Sequence, residues 1–283
     1  MRRIATIGFF DGVHKGHRYL FKQLDRIGAE QGLNPLIITF KEHPRAALQS
    51  DYVPQLLTTA NERRALLSAY GEVLMLPFAD IQALTAAEFM QRLKDDYAVS
   101  VLLMGYDHRF GSDRLKHPQD YRRIGETLGI KVMTINEYVE GEWHVSSTEI
   151  RSALENGNIA VANELLGRPY ALRGTVVHGK GLGRKIGFPT ANIQINDPHL
   201  IIPKAGVYEV SVHAHALDWT PGFLNIDTHQ VIEVHIPSFK GDVYGEQLEV
   251  RFVKHLRDEK RFNTIDALRV QIKADVDSIR HQA

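Results

Sequence analysis

Two hydrophobic rhythms divide the chain, and the change comes near residue 170. Before it, short apolar runs at residues 4–10, 35–40, 73–76, 99–104 and 131–135 read as buried strands. Between them, apolar positions recur at helical spacing near 17–31, 60–70, 86–96 and 118–128. Thr59 with Glu62, and Thr85 with Glu88, fit the capping box that opens a helix. Alternating β and α segments predict a parallel, doubly wound sheet, with ligands at the carboxyl ends of its strands. Two short helical segments, near 147–156 and 158–166, close this half, and Gly167-Arg168-Pro169 breaks the pattern. Beyond it come short alternating runs at 170–177, 206–213, 231–236 and 248–256, separated by turn residues. That pattern predicts a small antiparallel β-barrel. A last amphipathic helix is expected over 265–279, with Leu268, Ile272, Val276 and Ile279 on one face. The predicted domains are 1–167 and 168–283.

Composition narrows the partners. The chain has 283 residues, 43% of them hydrophobic, enough for two ordinary cores. Lysine plus arginine equals aspartate plus glutamate, 34 each, which argues against general nucleic-acid binding but allows a local basic pocket. There is no cysteine, so disulfides, thiolate catalysis and cysteine-ligated metals are excluded. The 14 histidines are scattered, without HExxH-like metal spacing. No apolar run reaches membrane-span length and no signal-peptide pattern opens the chain, so a cytoplasmic location with no membrane partner is expected.

Residues 8–17 read Gly-Phe-Phe-Asp-Gly-Val-His-Lys-Gly-His. A strand passing through a Gly-rich turn onto a helix N-terminus is the geometry that cradles phosphate. Gly8, Gly12 and Gly16 let the backbone approach an anion, and His14 and His17, one turn apart, can face the same phosphate. A lone histidine in such a turn would read as a surface residue; two histidines and three glycines together do not. A third capping box, Ser146 to Glu149, places Ser147, Thr148 and Arg151 in the first turn of a helix, where they suit an anion. Asp107 and Arg109 directly follow the most apolar strand, at the edge where ligands of such sheets bind.

The 8–17 pattern resembles the HxGH nucleotidylyltransferases, and among them the bacterial FAD synthetases. The resemblance implies that Gly8, Phe9, Asp11, Gly12, Ser147 and Thr148 bind ATP, while His14, His17 and Arg151 stabilise charge on the triphosphate. That family has Asn more often at the position of Phe9. Residues 105–111 are similar to the family segment Gly-x-Asp-Phe-Arg-Phe-Gly, with His108 in place of the first Phe. Asp107, Arg109 and His43, the last in the 39–45 segment, are then implied on the flavin side.

In the second half, glycines at 179, 181, 183 and 187 allow close approach to phosphate, and Thr190 and Asn192 present hard oxygens two residues apart on one side of an extended segment. Mg²⁺ prefers such ligands, completed by phosphate and water. The string Gly187-Phe188-Pro189-Thr190-Ala191-Asn192 resembles the riboflavin kinase signature, so the whole chain resembles the bifunctional bacterial riboflavin kinase/FAD synthetases. This implies that Gly181, Gly183 and Arg184 bind ATP, that Thr190 and Asn192 hold Mg²⁺ with it, and that Glu233 is the catalytic carboxylate. Phe188, Arg257 and Phe262 would contact flavin. The implied activity is phosphorylation of riboflavin to FMN, then adenylylation of FMN to FAD, with riboflavin, FMN and ATP as partners. One departure stands out: after Asn225-Ile226 the family's Gly is Asp227, and the hairpin before Glu233 is shortened. The alternatives are a chain retaining only FMN adenylylation, and a non-catalytic flavin-binding or regulatory protein.

Overall fold

The computed structural model describes residues 2–140, 143–179, 183, 186–215, 217–239, 241, 243–260 and 262–280. Contacts divide the chain into two compact units, Met1–Ser147 and Thr148–Ala283.

In the first unit, strands β1 (Arg3–Ile7), β2 (Asn34–Phe40), β3 (Glu72–Leu76), β4 (Val99–Met104) and β5 (Lys131–Thr134) form one parallel sheet in the order β3-β2-β1-β4-β5. Helices α1 (Lys15–Gln31), α2 (Pro44–Leu48), α3 (Ala60–Leu67), α4 (Ala86–Tyr97) and α5 (Pro118–Leu128) connect them. The strand period of two sorts side chains into two cores. Ile4, Ile37, Val101 and Leu103 pack with Phe21, Leu24 and Leu67 of α1 and α3. Ala5, Leu36, Ile38, Leu102 and Met104 pack with Phe89, Met90, Leu93 and Tyr121 of α4 and α5. Both capping boxes expected at Thr59 and Thr85 are formed. Strand order reverses between β1 and β4, which places the crevice of a doubly wound sheet at their carboxyl ends. A short hairpin of β6 (Val139–Glu140) and β7 (Trp143–His144) follows β5.

The second unit opens with α6 (Ser147–Glu155) and α7 (Ile159–Leu166). Both are grouped with the barrel, ahead of the boundary at residue 167 read from the sequence. The Asn163 amide explains part of this: its nitrogen donates to the Phe252 carbonyl at 2.9 Å and its oxygen accepts from the Tyr170 N–H at 2.7 Å. The barrel is closed, in the order β10-β11-β12-β9-β8-β13, from β8 (Ala171–Val177), β9 (Ala191–Ile195), β10 (Gly206–Ala214), β11 (Leu217–Ile226), β12 (Ile232–His235) and β13 (Gln247–Asp258). Helix α8 (Ile265–Arg280) ends it. The doubly wound sheet and the small antiparallel barrel with its C-terminal helix thus match the architecture expected from the sequence.

Two strands of the barrel escaped the sequence pattern. β11 contains Pro221-Gly222, which reads as a turn. β12 pairs only with residues 223–226, so Pro221 lies beyond its end, where a strand tolerates proline. β9 is only five residues long and partly polar. Conversely, β1 ends at Ile7 rather than at residue 10, because Phe10 takes a left-handed backbone, φ 56°.

Candidate active sites

The chain leaves β1 through a strained turn. Phe10 (φ 56°), Gly12 (φ 76°) and Val13 (φ 43°) all take positive φ. For Val13, branched at Cβ, such a conformation costs about 1–3 kcal/mol and persists only when its surroundings impose it. His14 then caps α1, its Nδ1 accepting from the His17 N–H at 3.4 Å. The two imidazoles stack, 3.5 Å between centroids and 22° between planes. Burial, and secondly the neighbouring His14, hold the His17 pKa well below the usual 6.5. Its Nδ1 is buried without a hydrogen-bond partner. A buried donor or acceptor left unmatched in the protein is what a ligand can complete.

His14 and His17 line a cavity of about 240 Å³ together with Asp107, Ser147, Tyr19 and Tyr138. His14, Asp107 and Tyr138 follow the ends of β1, β4 and β5, where the topology places a ligand, while His17 and Tyr19 lie on α1 and Ser147 opens α6. Gly16 is tightly packed there: a Cβ would lie 3.1 Å from the Val145 carbonyl and 3.2 Å from the His14 ring. The Ser147 hydroxyl donates to the Asp11 carbonyl at 3.0 Å, tying the two motifs of this unit together. Tyr19 and Tyr138, 5.4 Å apart, were not singled out from the sequence, since isolated tyrosines carry no spacing signal.

Other expected residues stand elsewhere. The Asp11 carboxylate is buried and accepts from the Leu57 and Thr58 N–H groups and the Thr58 hydroxyl, at 3.0–3.2 Å. The Gly12 N–H donates to the same hydroxyl at 3.1 Å. Asp11 and Gly12 therefore brace the turn and do not line the cavity. A Cβ on Gly8 would lie 2.6 Å from the Phe10 ring. Phe9 packs edge-on against His43, centroids 4.8 Å apart, with the Arg63 guanidinium 4.1 Å over its ring. Arg63 is almost fully buried and donates to the Phe40 carbonyl at 2.6 Å. Burial lowers its pKa, opposed by the Asp11 charge. His43 caps α2 by accepting from the Arg45 N–H, and neither His43 nor the exposed Arg109 lines the cavity. Thr148 and Arg151 lie early in α6, in the second unit.

The barrel holds a cavity of about 330 Å³, lined by Gly183, Phe188, Thr190, Glu233, Arg257 and Phe262 among others. Strand register puts three polar residues in one row: Asn225 opposite Glu233, and Glu233 opposite Asn192. Directly opposed residues share a face, so the Asn192 amide and the Glu233 carboxylate are neighbours. Among the described residues the Glu233 carboxylate has no hydrogen-bond partner. A Cβ on Gly179 would fall 2.0 Å from the Asn192 amide, so only glycine leaves Asn192 its place. Gly181 and Arg184 lie outside the described residues. Arg257 is held by Asp275 of α8, at 2.7 Å from Nη2 and 3.2 Å from Nε. This carboxylate, five turns of sequence away, was missed because a helix aspartate reads as solvent-facing.

The shortened β11–β12 hairpin is closed by Asp227. Its carboxylate accepts from the His229 and Val231 N–H groups, each at 2.8 Å, and its N–H donates to the Val231 carbonyl at 3.1 Å. The register Asn225–Glu233 is intact next to it. A second cavity, about 260 Å³, shares Thr190 with the first and is lined by Val176, Val234, Phe239 and Tyr244.

Among the described residues no cluster of three His, Cys, Asp or Glu forms a metal cage, and no helix is long and apolar enough to cross a membrane. Thr190 and Glu233 line one cavity, and Asn192 stands opposite Glu233 on the neighbouring strand; such hard oxygens nevertheless fit Mg²⁺ that arrives with phosphate, since that ion rarely relies on protein ligands alone.

Family models described as FAD synthetase and riboflavin kinase match residues 1–149 and 166–283. The bifunctional riboflavin kinase/FMN adenylyltransferase of Escherichia coli (strain K12) is 36% identical over 283 residues, covering 96% of this chain and 90% of that protein. The protein of the same name from Pseudomonas fluorescens is 36% identical over 291 residues, covering 98% and 92%. A crystal structure titled as a macrolide-efflux protein from Streptococcus pneumoniae superposes with a TM-score of 0.89 at 32% identity, covering 99% of this chain and 94% of that one.

Proposed function

The chain belongs to the bifunctional riboflavin kinase/FMN adenylyltransferase family, and we propose that it makes FAD from riboflavin in two ATP-dependent steps. Adenylylation is assigned to residues 1–167 and phosphorylation to residues 168–283. The observation that carries the kinase assignment is Glu233 facing a cavity that it lines with Asn225 and Thr190, with Asn192 opposite it on the neighbouring strand. In that step Glu233 accepts the proton of the ribityl 5′-hydroxyl as its oxygen bonds to the γ-phosphorus of ATP and the bond to ADP breaks. Thr190 and Asn192 would hold Mg²⁺, which neutralises developing phosphate charge. Because the two barrel cavities meet at Thr190, riboflavin fits the larger one, between Phe188 and Phe262, and the ATP base fits the apolar slot beside Tyr244. Arg257, fixed by Asp275, stands on the flavin side. The closed Asp227 turn supports a working kinase over the adenylylation-only alternative.

Adenylylation needs no protein nucleophile. A phosphate oxygen of FMN bonds to the α-phosphorus of ATP while pyrophosphate departs. His14 and His17 meet the departing charge. His17, kept neutral by burial, gains most from an anion beside it. The cytoplasm is the proposed location. A chromatographic time course with riboflavin, ATP and Mg²⁺ tests the reading. FMN that appears and is then converted to FAD supports both sites. FAD formed only from supplied FMN removes the kinase assignment, and no product from either substrate removes both.

A further inference from the structure

The turn that presents His14 is held only in part by its own sequence, where the Val13 N–H donates to the Phe10 carbonyl at 3.1 Å. Phe10, Gly12 and Val13 lie in a region that L side chains avoid, and the His14–His17 cap bond, at 3.4 Å, is too long to impose it. Further constraint comes from the Ser147 hydroxyl on the Asp11 carbonyl, from the Leu57 N–H on the Asp11 carboxylate, and from a residue 46 positions beyond Gly12 that bonds two members of the turn at once. The Thr58 hydroxyl accepts from the Gly12 N–H at 3.1 Å and donates to the Asp11 carboxylate at 3.2 Å. Only a hydroxyl does both at once in so small a volume. Thr58 is 4% exposed, so solvent does not substitute for it. It is itself anchored, since its neighbour Thr59 opens α3 with a complete capping box.

We propose that Thr58 is a positioning residue for FMN adenylylation: its hydroxyl locks the Phe10–Val13 turn and so fixes two imidazoles that it does not touch. The inference rests on reading the His14–His17 turn as the adenylyl-transfer site. His14 follows Val13 directly, and His17 is stacked on His14. A relaxed turn therefore displaces both rings together. Misplacing a catalytic group by about 1 Å costs on the order of 100-fold in rate.

The test uses the full chain and compares Thr58→Val, which keeps the shape and deletes the hydroxyl, with Thr58→Ser, which keeps the hydroxyl. FAD formation from FMN and ATP is measured beside FMN formation from riboflavin and ATP. With Thr58→Val, kcat for adenylylation is expected to fall about 10- to 100-fold, KM for ATP and FMN to stay within about 3-fold, and kinase activity to be unchanged. Thr58→Ser is expected to recover kcat to within about 3-fold of wild type. In an imidazole NMR titration, His17 is expected to move up toward 6.5 in Thr58→Val, because a released ring regains solvent. Wild-type kcat in Thr58→Val, equal losses in the Val and Ser variants, or a lost kcat with an unmoved His17 titration would each overturn the proposal. Should Thr58→Val not fold, Thr58→Ala removes the same hydroxyl with less crowding and is judged by the same criteria. Wild-type protein that makes no FAD from FMN overturns the adenylyl-transfer reading itself, a failure distinct from that of Thr58.

Discussion

His108 offers a quantitative test of the electrostatics in the first unit. Its environment treats it as an apolar residue. The residue is half-buried, but its Nε2 is out of reach of solvent and has no hydrogen-bond partner. Burial pushes its pKa down to about 4, against a smaller upward pull from Asp107. In the unfolded chain the same ring titrates near 6.5. Above that pH neither state carries the proton, and His108 adds no pH dependence. As pH falls through 6.5, the unfolded chain binds a proton that the folded protein refuses, so stability is lost until about pH 4. At about 1.4 kcal/mol per pH unit, the loss reaches about 3 kcal/mol. Replacing His108 with Phe removes this linkage and the unmatched nitrogen, the latter worth about 1 kcal/mol at neutral pH. The chain has two tryptophans, Trp143 and Trp219, one in each unit, so the variant Trp219→Phe makes fluorescence a reporter of the first unit alone. Urea unfolding would be followed in that background, with and without His108→Phe, from pH 7.5 to 4.5. The expected stability difference between them is small at pH 7.5 and widens below 6.5. Parallel curves across the range would refute the assignment of a neutral, buried His108.

Further outcomes follow from the barrel. Glu233→Gln is expected to lower riboflavin phosphorylation by about 10²- to 10⁴-fold while leaving FAD formation from supplied FMN intact, as separate assays of the two steps would read. Asp227→Ala removes both 2.8 Å bonds that close the β11–β12 hairpin. It should destabilise the barrel by about 1–3 kcal/mol, read from Trp219 fluorescence in urea, and slow the kinase because Glu233 loses its register. Asp275→Ala leaves the Arg257 guanidinium, 15% exposed, without its partner. A cost of about 3 kcal/mol to barrel stability and a raised KM for riboflavin are expected, with adenylylation unaffected.

Much of the architecture was legible because both periods are strict. Ile37 faces one core while Leu36 and Ile38 face the other, and no register other than a two-sided sheet buries all three. What stayed hidden was set by tertiary context. Pro221-Gly222 looks like a turn until the end of β12 is known. Phe10 looks like the last residue of a strand until its ring is seen folded back against Gly8. The motif positions were readable, but which side chains line a cavity was not. Thr58, Arg63 and Asp275 carry no motif, and each acts through a bond spanning many residues: to Gly12, Phe40 and Arg257.

Asp11 and Glu233 show how hydrogen-bond accounting separates a brace from a base. Both are acidic residues inside the strongest motifs of their units. Asp11 receives the Leu57 and Thr58 N–H groups and the Thr58 hydroxyl. A carboxylate so occupied, and almost fully buried, is committed to the turn it holds and does not line the cavity. Glu233 instead faces a cavity, with no partner among the described residues, and is flanked by Asn225 and Asn192. Its lone pairs are available to a hydroxyl placed there. Motif position alone would give the two residues equal weight as substrate contacts. Their partners set Asp11 apart as a brace of its turn and leave the Glu233 carboxylate open for the role proposed for it.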